Sequence, residues 1–232
     1  MLAVVTGGTK GIGKATIVAF SRKGFDIVTC SRNADDLESL KQEIETEFNN
    51  SVFTIPCDLS LKEDTQSFID FVLSQQSSVA VLVNNSGVFL PGEVHSEEDG
   101  ALEKQIETNL YSAYRISRGL IPTMQQQRQG HIFNICSIAS LIAYNNGGSY
   151  TISKFALYGM SKSLREEMKP HAIRVTAVMP GATLTASWEG VDLPEDRFIP
   201  PEDVATMILS SYELSPRSVV EDIIIRPQLG DL

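Results

Sequence analysis

Leu2-Ala3-Val4-Val5-Thr6-Gly7-Gly8-Thr9-Lys10-Gly11-Ile12-Gly13 opens the chain. A short continuous apolar run gives way at once to glycines, and these lead into an amphipathic stretch from about Ile12 to Lys23. The run reads as a buried strand and the stretch as a helix. Glycines between them permit a tight turn and close approach of backbone to a pyrophosphate, whose charge the helix N-terminus meets. Gly7, Gly11 and Gly13 are spaced Gly-x-x-x-Gly-x-Gly rather than Gly-x-Gly-x-x-Gly. The place of the loop between strand and helix gives that spacing its weight, with Thr9, Lys10 and Ile12 in the same turn.

The alternation continues to the end of the chain. Strands are expected at Leu2 to Val5, Asp26 to Cys30, Val52 to Ile55, Val79 to Val83, His131 to Ile135, Ile173 to Val178 and Asp222 to Ile225. Helices are expected at about Ile12 to Lys23, Ala34 to Phe48, Leu61 to Gln75, Glu97 to Gln127, Tyr150 to Met168 and Pro201 to Ser210, with Ser96 as N-cap of the fourth. Apolar strands alternating with helices specify a parallel sheet covered on both faces. Neither a linker nor a repeat interrupts the pattern, so residues 1–232 read as one domain.

Hydrophobic content of 42% and charged content of 21% suit a globular interior. A net charge of −10 disfavours nucleic acid and anionic membrane as partners, so any anionic ligand must be held locally. Cys30, Cys57 and Cys136 form no Cys-x-x-Cys and have no histidine pair nearby, which indicates neither a disulfide framework nor a metal site. Each reads as a small buried residue at a strand end. The sequence shows no secretory signal or membrane span, and the cytoplasm is the expected compartment.

Cys136-Ser137-Ile138-Ala139-Ser140 and Tyr150-Thr151-Ile152-Ser153-Lys154 carry the chemistry. Residues four apart share a helix face, so the Lys154 ammonium is expected beside the Tyr150 phenol. At ~4 Å and an effective dielectric of ~20, such a cation favours the phenolate by about 4 kcal/mol, before desolvation opposes it. That would make Tyr150 a proton donor or acceptor at a carbonyl or alcohol oxygen, with Ser137 hydrogen-bonded to the same oxygen.

Cofactor choice is set at the end of the second strand, where an acid would accept a ribose hydroxyl and a cation would meet a 2′-phosphate. The chain has Cys30-Ser31-Arg32 there, no acid until Asp35, and Lys10 nearby in the glycine loop. Arg32 can bind phosphate as a bidentate fork. NADP(H) is therefore expected over NAD(H). The competing reading makes Lys10 and Arg32 solvated surface charges.

With these pieces the chain resembles the short-chain dehydrogenase/reductase family over nearly its whole length. Thr6-Gly7 through Gly13 matches the family's Thr-Gly-x-x-x-Gly-x-Gly, and Asn84-Asn85-Ser86-Gly87 its Asn-Asn-Ala-Gly. Ser137 and Tyr150-x-x-x-Lys154 match its catalytic residues, Asn109 the Asn of its tetrad, and Pro180-Gly181-Ala182-Thr183-Leu184-Thr185 its Pro-Gly-x-x-x-Thr turn. The resemblance implies a Rossmann-like, doubly wound α/β fold with a seven-stranded parallel sheet.

It also implies roles. Tyr150 would be the general acid/base, Ser137 would polarise the substrate oxygen, and Lys154 would bind the nicotinamide ribose and lower the Tyr150 pKa. Asn109 would hold a water in a proton relay, or satisfy a bend in its helix, or both. Asp58, followed by Leu59, would accept from the adenine amine, with capping of the next helix as its competitor. Asn85, Ser86 and Gly87 would line the nicotinamide side, and Pro180, Gly181, Thr183 and Thr185 would hold the carboxamide.

Two departures stand out: Ser86 replaces the usual alanine, and Cys136 replaces a frequent serine. Residues from about 185 to 200 would form a substrate lid, in which Trp188 either covers substrate or pins the lid. Phe89, Leu90, Ala139, Leu141 and Tyr144 are further pocket candidates. The family's helical interface implies a homodimer or homotetramer, with Tyr111, Tyr114, Phe155, Leu157, Tyr158 and Met160 as candidates and some of these facing the chain's own core. A small carbonyl or alcohol is the implied substrate. A catalytically silent NADP(H)-sensing protein of the same fold is the competing functional reading.

Overall fold

The computed structural model describes residues 1–185, 188, 190 and 192–231. Seven strands form one parallel sheet in the order β3-β2-β1-β4-β5-β6-β7. They are β1 (Leu2–Thr6), β2 (Asp26–Ser31), β3 (Val52–Pro56), β4 (Val79–Asn84), β5 (Gly130–Ile135), β6 (Ile173–Pro180) and β7 (Asp222–Ile225). The helices are α1 (Gly11–Ser21), α2 (Ala34–Phe48), α3 (Lys62–Ser74), α4 (Ala101–Ile106), α5 (Ser112–Gln127), α6 (Gly148–Met168) and α7 (Pro201–Glu213).

Successive strand residues feed opposite cores. Leu2, Val4, Val28 and Leu82 pack with Phe68, Ile116, Leu120 and Met124 under α3 and α5. Ala3, Val5, Ile27, Val81 and Val83 pack with Ile17, Phe20, Leu40, Ile44 and Ile208 under α1, α2 and α7. A strand buried on both faces has no polar side to show, which is why these strands read as unbroken apolar runs. Strand order reverses at β1, which lies between β2 and β4. Such a reversal opens a crevice beyond the carboxyl ends of the strands.

The expected fourth helix, Glu97 to Gln127, differs most. α4 starts at Ala101 after Gly100, whose φ of 90° is left-handed, so Ser96 lies in a turn and is not the cap. A π-helical turn, Glu107–Tyr111, then separates α4 from α5, with the Ser112 N–H donating to the Glu107 carbonyl. A π turn widens the helix by one residue and commonly marks a functional site. Asn109 sits inside it. Among the described residues, no helix is long and apolar enough to cross a membrane, and no group of three or more His, Cys, Asp or Glu residues is arranged to hold a metal. The three cysteines are free and buried. Burial pushes the Cys57 and Cys136 thiols up to about 11, as expected of packing residues and contrary to nucleophiles.

Candidate active site

The crevice is tied together at the ends of β1 and β4. Thr6 Oγ1 accepts from the Asn85 N–H at 3.0 Å and the Ser86 N–H at 2.9 Å. Asn85 returns two bonds, its Nδ2 donating to the carbonyls of Thr6 at 2.9 Å and Gly7 at 3.0 Å. Gly7 and Gly11 have φ of +64° and +53°, and a Cβ on Gly13 would lie 2.3 Å from the Gly7 carbonyl oxygen. α1 starts beneath this loop with no side-chain cap among the described residues and no acid in its first turn. Bare backbone leading onto unpartnered helix N–H groups fits a pyrophosphate, and with it a dinucleotide.

Beside this cradle, β5 ends and α6 begins. Ser137 caps a short 3-10 turn, accepting from the Ala139 N–H at 3.1 Å, and its side chain acts on the Tyr150 phenol in the direction of a lower pKa. Lys154, almost fully buried, donates to the carbonyl of Ile135 at 2.8 Å. Its Nζ stands 5.6 Å from the centre of the Tyr150 ring. Burial pushes the phenol above its ordinary value, outweighing the lowering influence of Ser137. Burial equally pushes the Lys154 ammonium down, to about 8. Desolvation disfavours both charged forms, and the lysine donates to main chain.

Asn109 joins the group from the π turn. Its Oδ1 accepts from the Val88 N–H at 2.7 Å, and its Nδ2 donates to the Val88 carbonyl at 3.0 Å and to Ser153 Oγ at 2.9 Å. A Cβ on Gly87 would sit 3.2 Å from Asn109 Oδ1 and 3.5 Å from Lys154 Nζ. Nothing in the sequence marks the residue that repeats this grip one turn earlier. Gln105, fully buried, accepts from the Leu90 N–H at 3.1 Å and donates to the Leu90 carbonyl at 3.4 Å. The Gly92 N–H in turn donates to the Asn146 carbonyl at 3.1 Å.

The chain after β4 is therefore held at alternate residues, 86, 88, 90 and 92. Phe89, between two anchors, sets its ring edge-on to Tyr150 with centroids 5.0 Å apart. Of the pocket candidates, Phe89 and Tyr144 are exposed, Ala139 is buried and Leu141 packs on the core beside Cys136. Leu90 is the residue whose main chain Gln105 holds. A groove of about 460 Å³ lies alongside, lined in part by Gly92, Tyr144, Thr151 and Ile152.

At the other end of the crevice, Ser31 Oγ accepts from the Asn33 N–H at 3.2 Å, and Arg32 is exposed. Lys10 is 3.6 Å from Asp36, a pair open to solvent and so weakly held. Asp58 folds a turn by accepting from the Ser60 hydroxyl at 2.7 Å and the Ser60 N–H at 3.0 Å. It is not the N-cap of α3, a position held by Leu61. Burial acts to raise the Asp58 pKa, but the Ser60 bonds and the charges of Arg32 and Lys104 bring it below its usual value. Leu59 is buried in the core.

After β6, Thr183 is buried and donates to the Gly181 carbonyl at 3.0 Å. A Cβ on Gly11 would meet Thr185 Cγ2 at 2.8 Å, so this turn closes over the glycine loop. Trp188 packs against buried Phe198, ring centres 5.1 Å apart. Residues 186, 187, 189 and 191 of the expected lid lie outside the described residues.

A doubly wound sheet with this cradle at its switch point, and a tyrosine and lysine on the adjoining helix, defines the class as an α/β oxidoreductase. The model of the short chain dehydrogenase family matches residues 1–195. The sepiapterin reductase of Chlorobaculum tepidum is 32% identical over 239 residues, covering 100% of this chain and 98% of that protein. A metagenomic short-chain oxidoreductase solved with NADP has 29% identity and a TM-score of 0.86, covering 98% of this chain and 97% of that one. L-sorbose reductase from Gluconobacter frateurii, solved with NADPH and L-sorbose, has 27% identity and a TM-score of 0.89, covering 97% of this chain and 95% of that one. The chain belongs to the short chain dehydrogenase family.

Proposed function

We propose that this protein is an NADP(H)-dependent oxidoreductase acting on a small carbonyl or alcohol in the cytoplasm, with Tyr150 as general acid/base. The observation that carries the reading is the placement of buried Lys154, its Nζ 5.6 Å from the centre of the Tyr150 ring, with Ser137 acting on the same phenol, beside the strand ends that hold the glycine cradle. The dinucleotide, when bound, supplies or accepts the hydride. Tyr150 holds the proton exchanged with the substrate oxygen, and Ser137 orients that oxygen by hydrogen bonding. Lys154 binds the nicotinamide ribose, Asn109 serves the proton path behind it, and Phe89 keeps water from the phenol. Thr9, Gly11, Ile12 and Gly13 hold the pyrophosphate, Asp58 and Leu59 the adenine side, and Asn85, Ser86, Gly87, Pro180, Gly181, Thr183 and Thr185 the nicotinamide side.

NADP(H) preference rests on Arg32 and Lys10 at the end of β2, and on NADP or NADPH in the solved relatives. The chain acts as one domain, and copies pair through an exposed face that includes Tyr111, Tyr114 and Phe155. Leu157, another interface candidate, is buried in the chain's own core, and Tyr158 and Met160 pack against the same cluster. The test is oxidation of NADPH with a panel of ketones, aldehydes, vicinal diketones and quinones, comparing the natural chain with Tyr150→Phe. Turnover lost in the variant supports the assignment. Tight NADPH binding without turnover on any member would make the protein a sensor instead.

A further inference from the structure

α6 begins without the support a helix start normally needs. Its N-cap is Gly147, no side chain of its own caps it, and its first turn contains no acid. The first N–H groups of a helix lack intrahelical partners, and their partial positive charge favours a carboxylate. That carboxylate comes from Glu97, in the loop before α4. Its Oε2 accepts from the Ser149 N–H at 3.3 Å, and its Oε1 accepts from the Ser149 hydroxyl. Ser149 is fully buried and immediately precedes Tyr150.

The surrounding backbone is shaped to admit this side chain. A Cβ on Gly148 would lie 2.9 Å from Glu97 Oε2 and 2.5 Å from the Gly92 carbonyl oxygen. A Cβ on Gly92 would lie 3.2 Å from the same Oε2. The Gly92–Asn146 bond closes the loop from the other side. Glu97 thus sits where two glycines let two loops meet over the end of the helix.

We propose that Glu97 is a positioning residue for Tyr150: by capping α6 through Ser149, it fixes the helical turn on which the phenol stands and couples the 92–97 loop to it. The proposal rests on the reading of Tyr150 as acid/base, and it predicts a local effect that can be measured without turnover. Glu97→Ala leaves the Ser149 N–H unpartnered, whereas Glu97→Gln keeps one oxygen to accept from the Ser149 N–H and places an NH2 that can donate to the Ser149 hydroxyl oxygen.

The experiment measures amide hydrogen exchange by mass spectrometry and steady-state kinetics with NADPH and 2,3-butanedione, in the natural chain and both variants. In Glu97→Ala, exchange over residues 148–153 should rise about ten-fold or more while β1 and β4 are unchanged. kcat should fall about ten-fold with KM for NADPH within about two-fold, and Glu97→Gln should recover most of the loss. Unchanged exchange at 148–153 overturns the proposal, as does a rise spread evenly over the fold or a loss in KM for NADPH alone. If the natural chain does not reduce the diketone, the exchange result still decides whether Glu97 fixes this turn, and the acid/base reading is judged separately by its own panel.

Discussion

Lys154 Nζ donates to the main-chain carbonyl of Ile135 at 2.8 Å, which ties α6 to the end of β5 through a buried ammonium. Burial lowers that ammonium from 10.5 to about 8. Between those values the unfolded chain binds a proton that the folded chain has lost, so this group makes stability rise with pH across the window. The difference in unfolding free energy between the natural chain and Lys154→Met should therefore grow by on the order of 3 kcal/mol from the lower value to the upper. Cys57 and Cys136, raised from 9.0 to about 11, act in the opposite sense at alkaline pH. Cys57 is not acted on by the lysine and cancels in the difference, whereas Cys136 feels the Lys154 charge, so the thiol shares in the change that the variant makes. Urea titrations of both proteins across the window check it; parallel curves would rule the lysine out as the source.

Thr6→Val removes a hydroxyl that accepts two main-chain N–H groups, from Asn85 and Ser86. Valine has nearly the same shape and no acceptor, so both donors lose their partner in a half-buried site. A destabilisation of about 2–4 kcal/mol is expected, with Thr6→Ser within about 1 kcal/mol of the natural chain. Because the same hydroxyl joins β4 to the glycine loop, NADPH affinity should also fall several-fold. Chemical denaturation and a fluorescence titration measure the two effects.

What the sequence showed and hid follows one physical division. The strands were legible because side chains buried on both faces leave apolar runs such as Val79 to Val83, and the cradle because only glycine suits that turn. Polar residues acting on main-chain atoms far along the chain left no pattern. Gln105 and Glu97 fall within the expected fourth helix with nothing to single them out, although one holds Leu90 and the other Ser149. Ser96 drew the cap assignment by residue type, but Gly100 starts α4, and its left-handed backbone is not written in any neighbour. The Lys154 acceptor escaped notice for the same reason, being a carbonyl rather than a side chain.

Gln105→Leu conserves much of the side-chain volume and deletes both bonds to Leu90. Two unpaired main-chain groups should cost about 2–4 kcal/mol. Phe89, the next residue back, should then lose its fixed edge contact with Tyr150. The expected kinetic result is a several-fold rise in KM for the carbonyl substrate with NADPH affinity unchanged. An equal loss for cofactor and substrate would show that the 86–92 segment supports the whole crevice rather than the substrate side.

Arg32 is exposed, and its charge is felt at Asp58. A charge-assisted bond to a 2′-phosphate is worth about 1.5–3 kcal/mol, so Arg32→Ala should weaken NADPH binding roughly 10- to 100-fold. NADH lacks that phosphate, and its affinity should move less than about three-fold. Calorimetric titration with both dinucleotides separates the cases. A similar change for both would mean that Arg32 acts on the fold of the β2 turn and not on the phosphate.

Gly159 lies in the middle of α6, and a Cβ there would meet nothing within 4 Å among the described residues. Ile152 and Phe155 are exposed on the same helix, at 42% and 45%. In a single chain, alanine at such a helix position should stabilise by about 1 kcal/mol, since glycine is the poorer helix former. If two copies pair across this helix, the missing side chain is what lets their backbones approach, and a methyl group keeps them apart. Gly159→Ala should therefore weaken self-association about ten-fold or more in sedimentation experiments while raising the stability of the separated chain. A higher melting temperature with unchanged association would place the interface elsewhere and leave Ile152 and Phe155 facing the solvent.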